Sequence, residues 1–386
     1  MRIADIREAT SSIRSDIRNA VIDFSEMTVS AIAIEADDGK GRRTVGYGFT
    51  SNGRYAQGGV LRERLLPRLR RAAPDSLLDD DGLIDPFKVR ACVMQNEKPG
   101  GHGERAVAVA AIDMAVWDLV AKLEDKPLWR LLSERYNAGQ ADEQVLVYPG
   151  GGYYYPGKDM SQLQDEMRGY RDAGYKVVKM KIGGAPLADD LKRIEAVIAV
   201  TGSGSDVAVD ANGRFDLRTA LAYGAAMTPY GLFWYEEPGD PLDYALNAEL
   251  AAAYEGSIAT GENLFSLQDA RNLVRHGGMR AERDWIQLDP ALSYGVTEYL
   301  AIIKMLEGLG WSRRRLIPHG GHQLALNMAI GLQLGGSESY PGVFQPFGGF
   351  ADDCDLVDGY AKPSDLPGIG VEGKAELYSE LRRVLA

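Results

Sequence analysis

The chain has 386 residues, which exceeds the usual size of one domain and predicts at least two domains. Its net charge of −12 argues against nucleic-acid binding, and its two cysteines, Cys92 and Cys354, argue against a disulfide framework. The first twenty residues are polar and no apolar run is long enough for a bilayer, so we expect a cytoplasmic protein without a membrane partner.

Residues 1–140 are predicted to form an α+β domain, because a strand hairpin is followed by helical patterns instead of a regular β/α repeat. The predicted strands cover 28–34 and 43–49, and the predicted helices cover 60–72, 86–95 and 104–123. Two polar loops that contain glycine, 50–55 and 96–103, are interpreted either as plain connectors or as lids over a neighbouring site.

Residues 141–350 show short apolar runs bounded by Gly and Pro, which is typical of the buried parallel strands of a TIM barrel. The eight predicted strands end near Tyr148, Ile182, Asp210, Glu236, Glu262, Asp289, His319 and Glu338. The tail, 351–386, is rich in Gly, Pro and Asp, ends in a short predicted helix at 377–385, and is expected to return to the first domain.

Three acidic residues close three successive predicted strands at equal intervals, namely Asp210, Glu236 and Glu262. The carboxyl ends of barrel strands share one face, so these carboxylates are expected to converge. Converging carboxylates do not all stay ionised in a closed site without a cation. Hard oxygen ligands without Cys or His favour Mg²⁺, with Mn²⁺ as the next choice. The alternative is that each acid is a solvated loop residue.

Lys179 and Lys181 are two residues apart on a predicted strand, so their side chains point to the same side. Repulsion between two ammonium groups, and a nearby divalent cation, lower the pKa of each lysine. We therefore expect Lys181 to be a base and Lys179 to stay charged and hold a substrate carboxylate. The alternative is a pair of surface lysines.

His319 follows a proline at a predicted strand end, and Asp289 ends the preceding strand. A carboxylate beside an imidazole fixes its tautomer and raises its pKa, which favours a general acid. His322 competes for this role, but its place three residues later predicts a loop or the start of a helix. A structural, hydrogen-bonded histidine is the alternative for His319.

These residues resemble the pattern of the enolase superfamily, in particular the mandelate racemase subgroup: a Lys-x-Lys pair on strand two, acids that end strands three to five, and an Asp–His pair on strands six and seven. The resemblance implies a modified (β/α)7β barrel with a capping domain built from the N-terminal region and the C-terminal tail. It also implies one Mg²⁺ per subunit, proton abstraction next to a carboxylate, and a homo-oligomer from dimer to octamer. A lysine on strand six would be typical of muconate cycloisomerases, but Asp289 stands there.

Within that subgroup, longer stretches are similar to D-tartrate dehydratases: 51–55, 96–104, 150–158, 210–215, 261–265, 318–322 and 338–341. This similarity implies dehydration of D-tartrate to oxaloacetate, with Lys181 taking the C2 proton and His319 assisting departure of the 3-hydroxyl. A small dicarboxylate needs a second cationic anchor, and the expected polar contacts to substrate are Arg18, Asn52, Lys98, Tyr155, Lys179 and Glu338.

Three other interpretations stay open at this point. The same scaffold can dehydrate or racemise another acid sugar, because the motifs specify proton abstraction and not the fate of the enolate. A catalytically inactive binding paralogue is the second, although no ligand or base is lost. An unrelated barrel with a phosphate loop after strands seven and eight is the third, and Gly335-Gly336 matches that loop only weakly.

Overall fold

A three-stranded antiparallel sheet begins the chain in the computed structural model, which describes residues 1–155 and 157–386. Its strands are β1 (Arg2–Ser12), β2 (Thr28–Asp37) and β3 (Arg43–Phe49), with β2 in the centre. The sequence patterns predicted the β2–β3 hairpin but not β1. The reason is that β1 is an edge strand with one buried position in its first nine residues, so its apolar alternation is weak.

Helices follow this sheet in the chain and pack against it. They are α1 (Gly58–Val60), a π-helical turn (Leu61–Leu65), α2 (Leu66–Arg71), α3 (Pro86–Val93), α4 (Glu104–Leu123) and α5 (Leu128–Tyr136). The predicted helix 60–72 is thus three consecutive pieces. Helix α4 is buried from Arg105 to Ala121, as its composition predicted. Glycines 46 and 48 of β3 let it lie directly on this strand, since a Cβ at Gly48 would stand 2.1 Å from the Ala111 carbonyl oxygen.

Parallel strands form the second part of the chain and follow one another in sequence around a barrel. They are β4 (Val145–Gly151), β5 (Val178–Lys181), β6 (Val207–Asp210), β7 (Trp234–Glu236), β8 (Ile258–Thr260), β9 (Trp285–Ile286) and β10 (Ser337–Ser339). Strand β10 pairs with β4 in parallel. The segment around Leu316 closes the gap between β9 and β10, because Ile317 N–H donates to Ile286 and Gly335 N–H donates to Leu316.

The seventh predicted strand, 315–319, is wrong as a regular strand. Its first residue belongs to a 3₁₀ turn (Arg313–Arg315), and the segment contributes a single parallel bridge between Leu316 and Ile286. Pro318 has no N–H to donate to a sheet, but its carbonyl oxygen accepts a hydrogen bond of 3.2 Å from the Glu338 N–H of β10. The sixth strand is likewise shorter than predicted and ends at Ile286, so Asp289 lies on the loop that follows it.

Helices alternate with the barrel strands and cover them. They are α6 (Met160–Asp172), α7 (Leu187–Thr201), α8 (Leu217–Met227), α9 (Tyr244–Ala253), α10 (Leu267–His276), α11 (Val296–Gly308) and α12 (Gln323–Gly331). Pro156, inside the stretch 150–158, lies outside the described residues. None of the described helices combines the length and apolar character that crossing a bilayer requires.

The C-terminal tail contacts both parts of the molecule. Its hairpin, β11 (Leu356–Val357) and β12 (Tyr360–Ala361), pairs antiparallel with the start of β4. Its last helix, α13 (Ala375–Val384), lies against β1, and Arg7 donates a hydrogen bond of 2.7 Å to the carbonyl oxygen of Leu385. The tail therefore holds the N-terminal sheet close to the barrel, while the boundaries at residues 140 and 350 stay predictions.

Candidate active site and metal centre

Three carboxylates converge at the carboxyl ends of the barrel strands. Asp210 ends β6, Glu236 ends β7, and Glu262 follows β8 by two residues. The register sets Asp210 beside Glu236 in neighbouring parallel strands. One oxygen of each carboxylate lies within 4.8 Å of the others, and Asp210 and Glu236 are fully buried. These three side chains could hold a metal ion, as their spacing in the sequence indicated.

The electrostatics of this triad fit a hard divalent cation. Burial, together with the charges of Asp210 and Glu262, outweighs Lys179 and raises the pKa of Glu236 to about 8. The Oε2 atom of Glu262 is buried and accepts no hydrogen bond among the described residues, and its ionic neighbour is Nε2 of His319 at 3.2 Å. A cation with oxygen ligands would compensate the crowded negative charge, and Mg²⁺ or Mn²⁺ suits an all-carboxylate donor set.

Lys181 ends β5 and lies on one side of the triad. Its Nζ is 2.5 Å from Oδ2 of Asp210 and 5.2 Å from the centre of the Tyr153 ring. Burial lowers the pKa of Lys181, but the charge of Asp210 outweighs burial and the net effect is a raised pKa. Lys179 does lower the pKa of Lys181, as predicted, but Asp210 raises this pKa by more, so the protein charges without a cation give no net lowering.

Lys179 lies behind the triad and not on the cavity surface. It is fully buried, and its Nζ is 2.6 Å from Glu236 and 2.8 Å from Glu338. Burial opposes its charge, but these two carboxylates raise its pKa well above the ordinary value. Lys179 therefore stabilises the charges of Glu236 and Glu338, and its direct contact with a substrate stays a prediction.

His319 lies on the opposite side of the triad from Lys181, against Glu262. Its Nδ1 is 3.0 Å from Oδ2 of Asp289, and its Nε2 is 3.2 Å from Oε2 of Glu262 and 3.0 Å from the hydroxyl of Tyr340. Burial lowers the pKa of His319, but the charges of Glu262, Glu338 and Asp289 outweigh it and raise the pKa to about 10. The imidazole is thus held as a proton donor.

Asp289 contacts two imidazoles, those of His319 and His322. Besides His319, it has Nε2 of His322 at 3.6 Å from Oδ1, and it accepts a hydrogen bond of 2.5 Å from Ser51 of the N-terminal part. Burial opposes ionisation of Asp289, but the two histidines keep its pKa below the ordinary value. His322 itself caps the N-terminus of α12, where its side chain accepts from the Ala325 N–H, which confirms its predicted place at a helix start.

A cavity of about 470 Å³ opens above the triad. Of the predicted site residues, it is lined by Asn52, Lys181, Glu262 and His319. Three predicted substrate contacts lie outside its lining: Arg18 pairs with Asp23 at 2.7 Å, Lys98 is exposed, and Tyr155 lines a separate, smaller cavity. Glu338 is fully buried, 2.8 Å from Lys179 Nζ and 3.5 Å from His319 Nε2, and it is also outside the lining. The structure does not bring these four residues together around one ligand space, and their substrate contacts stay predictions.

Residues that were not singled out also line the cavity, among them Arg54, Tyr153, Asn212, Asn263 and Tyr340. The sequence contained a usable signal for two of them, because Asn212 and Asn263 follow the acids Asp210 and Glu262 within two positions. In the structure, each asparagine donates a hydrogen bond of 3.1 Å to its acid. The signal for Tyr153 was ambiguous, because tyrosines that follow a strand are compatible with packing as well as with a wall of the substrate pocket.

Two family models match the chain. The enolase C-terminal domain-like family matches residues 162–377, which is more than half of the chain, and the N-terminal domain of the mandelate racemase / muconate lactonizing enzyme family matches residues 6–133. The chain belongs to the enolase superfamily. This membership confirms the resemblance seen in the motifs, and it confirms the predicted fold class of a TIM barrel with an α+β cap.

The relatives of this enolase superfamily member include acid-sugar dehydratases. It is 30% identical over 295 residues to the arabinonate dehydratase of Saccharolobus solfataricus, covering 72% of this chain and 74% of that protein. It is 28% identical over 348 residues to the L-talarate/galactarate dehydratase of Salmonella typhimurium, and the match covers 90% of this chain and 81% of that protein. Among solved structures, the crystal structure of L-talarate dehydratase from Polaromonas sp. JS666 complexed with Mg and L-glucarate is similar to this chain, with a TM-score of 0.73 and 25% sequence identity. The match covers 95% of this chain and 94% of that chain.

Proposed function

We propose that this protein is a Mg²⁺-dependent dehydratase of acid sugars. The observation that carries the proposal is the carboxylate triad Asp210, Glu236 and Glu262, which has an amine against one end and an imidazole against the other. This arrangement places a base and an acid on two sides of one ligand space. The relatives that dehydrate arabinonate and talarate or galactarate support it.

Asp210, Glu236 and Glu262 would hold the metal. When bound, Mg²⁺ offsets the charge of these carboxylates, which lowers the pKa of Lys181, and it stabilises negative charge that develops on a substrate carboxylate. Acid–base catalysis alone contributes about 10²–10⁴-fold, which is too little for a carbon acid next to a carboxylate. The low acidity of this C–H bond is therefore the reason to expect that the reaction depends on a metal.

Lys181 and His319 divide the proton transfers. Lys181 Nζ takes the proton from the carbon next to the carboxylate, and the electron pair of that C–H bond forms a C=C bond as the β-hydroxyl leaves. His319 gives its Nε2 proton to this hydroxyl, which departs as water, because Nδ1 is held by Asp289. The enol product then tautomerises to a 2-keto acid. Asp289 keeps the imidazole oriented and charged.

The specific substrate that we propose is D-tartrate, with oxaloacetate as the product. The similarity of seven stretches of the chain to D-tartrate dehydratases supports this choice, and Asn52, from one of these stretches, lines the cavity. Another acid sugar is the second candidate, since the named relatives act on five- and six-carbon acids.

The test is a panel of acid sugars, including D-tartrate, incubated with the enzyme and Mg²⁺ and assayed for 2-keto acids. We expect oxaloacetate from D-tartrate and no product after removal of divalent cations with a chelator. Product from a different acid sugar alone would overturn the D-tartrate assignment and keep the dehydratase. No 2-keto acid from any member of the panel would count against the dehydratase itself.

A further inference from the structure

Arg54 is an arginine of the N-terminal part that reaches the cavity of the barrel. It follows β3 in the loop 50–55 and lines the cavity. Its guanidinium carbon lies 5.3 Å from the centre of the Phe265 ring, and its Nη2 donates to Oδ1 of Asn263. Stacking on an aromatic face holds the planar guanidinium in one orientation. Arg54 is therefore presented to the cavity by contacts from the barrel.

Two charged side chains of the cavity lining, Arg54 and the exposed Asp240, have no ionic partner among the described residues, and Arg54 is the cation of the two. Lys181 is paired with Asp210, and His319 is paired with Asp289 and Glu262. Arg54 has no carboxylate within ion-pair distance in the part of the chain that the structure describes, and its two acceptors there are neutral, the Gly53 carbonyl and the Asn263 amide. A guanidinium has five N–H donors, so most of its donors are available to a ligand.

Asn263 connects Arg54 to the carboxylate triad. Its Oδ1 accepts from Arg54, and its Nδ2 donates to Glu262 at 3.1 Å and to both oxygens of the buried Glu237 at 2.9 and 3.0 Å. The guanidinium thus stands one amide group away from the triad. This short separation fits a ligand whose two anionic ends are a few atoms apart.

We propose that Arg54 binds the distal carboxylate of a short dicarboxylate substrate and thereby makes the enzyme selective for diacids over monoacids. A substrate with one carboxylate uses it at the triad and leaves Arg54 unpaired, whereas a second carboxylate matches the planar fork of the guanidinium. This inference rests on the proposed function, because it takes the triad and its metal as the site of the first carboxylate.

The test compares two ligands that differ in one carboxylate. They are D-tartrate and the threonate of matching configuration, in which a hydroxymethyl group replaces one carboxylate. Their binding is measured by calorimetry with Mg²⁺ in Lys181→Ala, which is expected to leave D-tartrate unconverted, with and without Arg54→Met. We expect Arg54→Met to weaken D-tartrate binding about 10- to 100-fold, as for loss of a charge-assisted hydrogen-bonded pair, and to leave threonate binding unchanged.

Two further variants separate binding from folding. Arg54→Lys keeps the charge without the fork and is expected to bind D-tartrate with intermediate affinity. Arg62→Met removes an exposed arginine that pairs with Glu8 outside the cavity, and it is expected to change neither affinity. If Arg54→Met lowers the affinity for D-tartrate and threonate equally, or lowers neither, the proposed role of Arg54 is overturned. Absence of Mg²⁺-dependent D-tartrate binding would overturn it as well. Selective binding without turnover by the unmodified enzyme would overturn only the proposed reaction.

Discussion

The charge state of Lys181 depends on its immediate neighbours. In the sequence, the nearest charge is another lysine, whereas in space the nearest charge is the carboxylate of Asp210, at 2.5 Å. The carboxylates raise the pKa of Lys181, and a cation bound among them is required to reverse this effect. The base and the metal site are therefore one electrostatic unit, and neither is expected to work without the other.

Lys181→Ala is expected to lower turnover of the substrate by about 10²–10⁴-fold or more while Mg²⁺-dependent binding persists, since the variant removes the base and keeps the three carboxylates. Steady-state kinetics and calorimetry on the same preparation measure the two effects. Lys192→Ala is the matched control, because this lysine is exposed and pairs with Asp189 on α7. Unchanged turnover in Lys181→Ala would remove the assignment of the base.

At the scale of elements, α4 connects the N-terminal sheet to the barrel. On one side it lies on β3, where glycines allow the two backbones to approach closely. On the other side, Asp113 of α4 caps the start of α11, because its carboxylate accepts from the Thr297 N–H at 3.3 Å and from the Thr297 hydroxyl at 2.5 Å. Helix α11 has no side-chain cap of its own at Gly295. This buried helix therefore aligns the sheet and the barrel.

Gly48→Ala is expected to destabilise the protein by about 1–3 kcal/mol or more, since the added methyl group would stand 2.1 Å from the Ala111 carbonyl oxygen of α4. Urea unfolding measures the loss. Gly59→Ala is the control, because a Cβ there meets no atom within 4 Å, and its stability should be unchanged or higher. Equal stability of both variants would show that β3 and α4 can separate without cost.

Asp113 is expected to make stability depend on pH. Burial raises its pKa from 3.8 to about 7, in spite of the hydrogen bonds from Thr297, so the folded state keeps a proton that the unfolded state has lost. The stabilisation is therefore complete below about pH 4, falls as the pH rises towards 7, and is constant above that. Between pH 5 and 8 the loss amounts to roughly 2–3 kcal/mol.

Asp113→Asn removes this titration and keeps a similar shape. Urea unfolding at pH 5 and pH 8 should show that the stability of the variant relative to the unmodified protein rises with pH by the same amount. Asp80→Asn, at an exposed turn, is the control and should follow the unmodified protein at both values. A difference that does not vary with pH would contradict a buried, protonated Asp113.

At the scale of the whole molecule, the two ends of the chain hold the N-terminal part in place over the barrel. Helix α13 packs on β1, Arg7 bonds to Leu385, and Lys374 donates to Gln345 at 3.0 Å, close to the cavity residue Phe344. Because Asn52 and Arg54 of the N-terminal part line the same cavity as Lys181 and His319, the site is complete only when both parts are docked.

Leu381→Ala is expected to destabilise the protein by about 2–5 kcal/mol, since Leu381 of α13 is fully buried. Thermal unfolding measures the change, and a lowered affinity for the substrate should accompany it if docking of the two parts is loosened. Leu366→Ala, at an exposed leucine, is the control and should differ little from the unmodified protein. Equal midpoints for the two variants would show that α13 does not stabilise the fold.

The sequence by itself determined the barrel, the cap and the strand ends that carry Asp210, Glu236, Lys181 and Glu262. These follow from local patterns, because a buried parallel strand needs an apolar run and the residue that ends it lies at the mouth of the barrel. Membership of the enolase superfamily agrees with them. The placement of Asp289 was found in the same way, although its strand is shorter than predicted.

Only the tertiary structure decided which loop residues reach the cavity and that the protein charges raise the pKa of Lys181. Arg18 and Lys98 lie in polar loops like that of Arg54, but of the three only Arg54 lines the cavity. Loop side chains are directed by contacts with distant segments, such as Asn263 and Phe265 for Arg54. The pKa of Lys181 likewise depends on distances through space, which the order of residues along the chain does not contain.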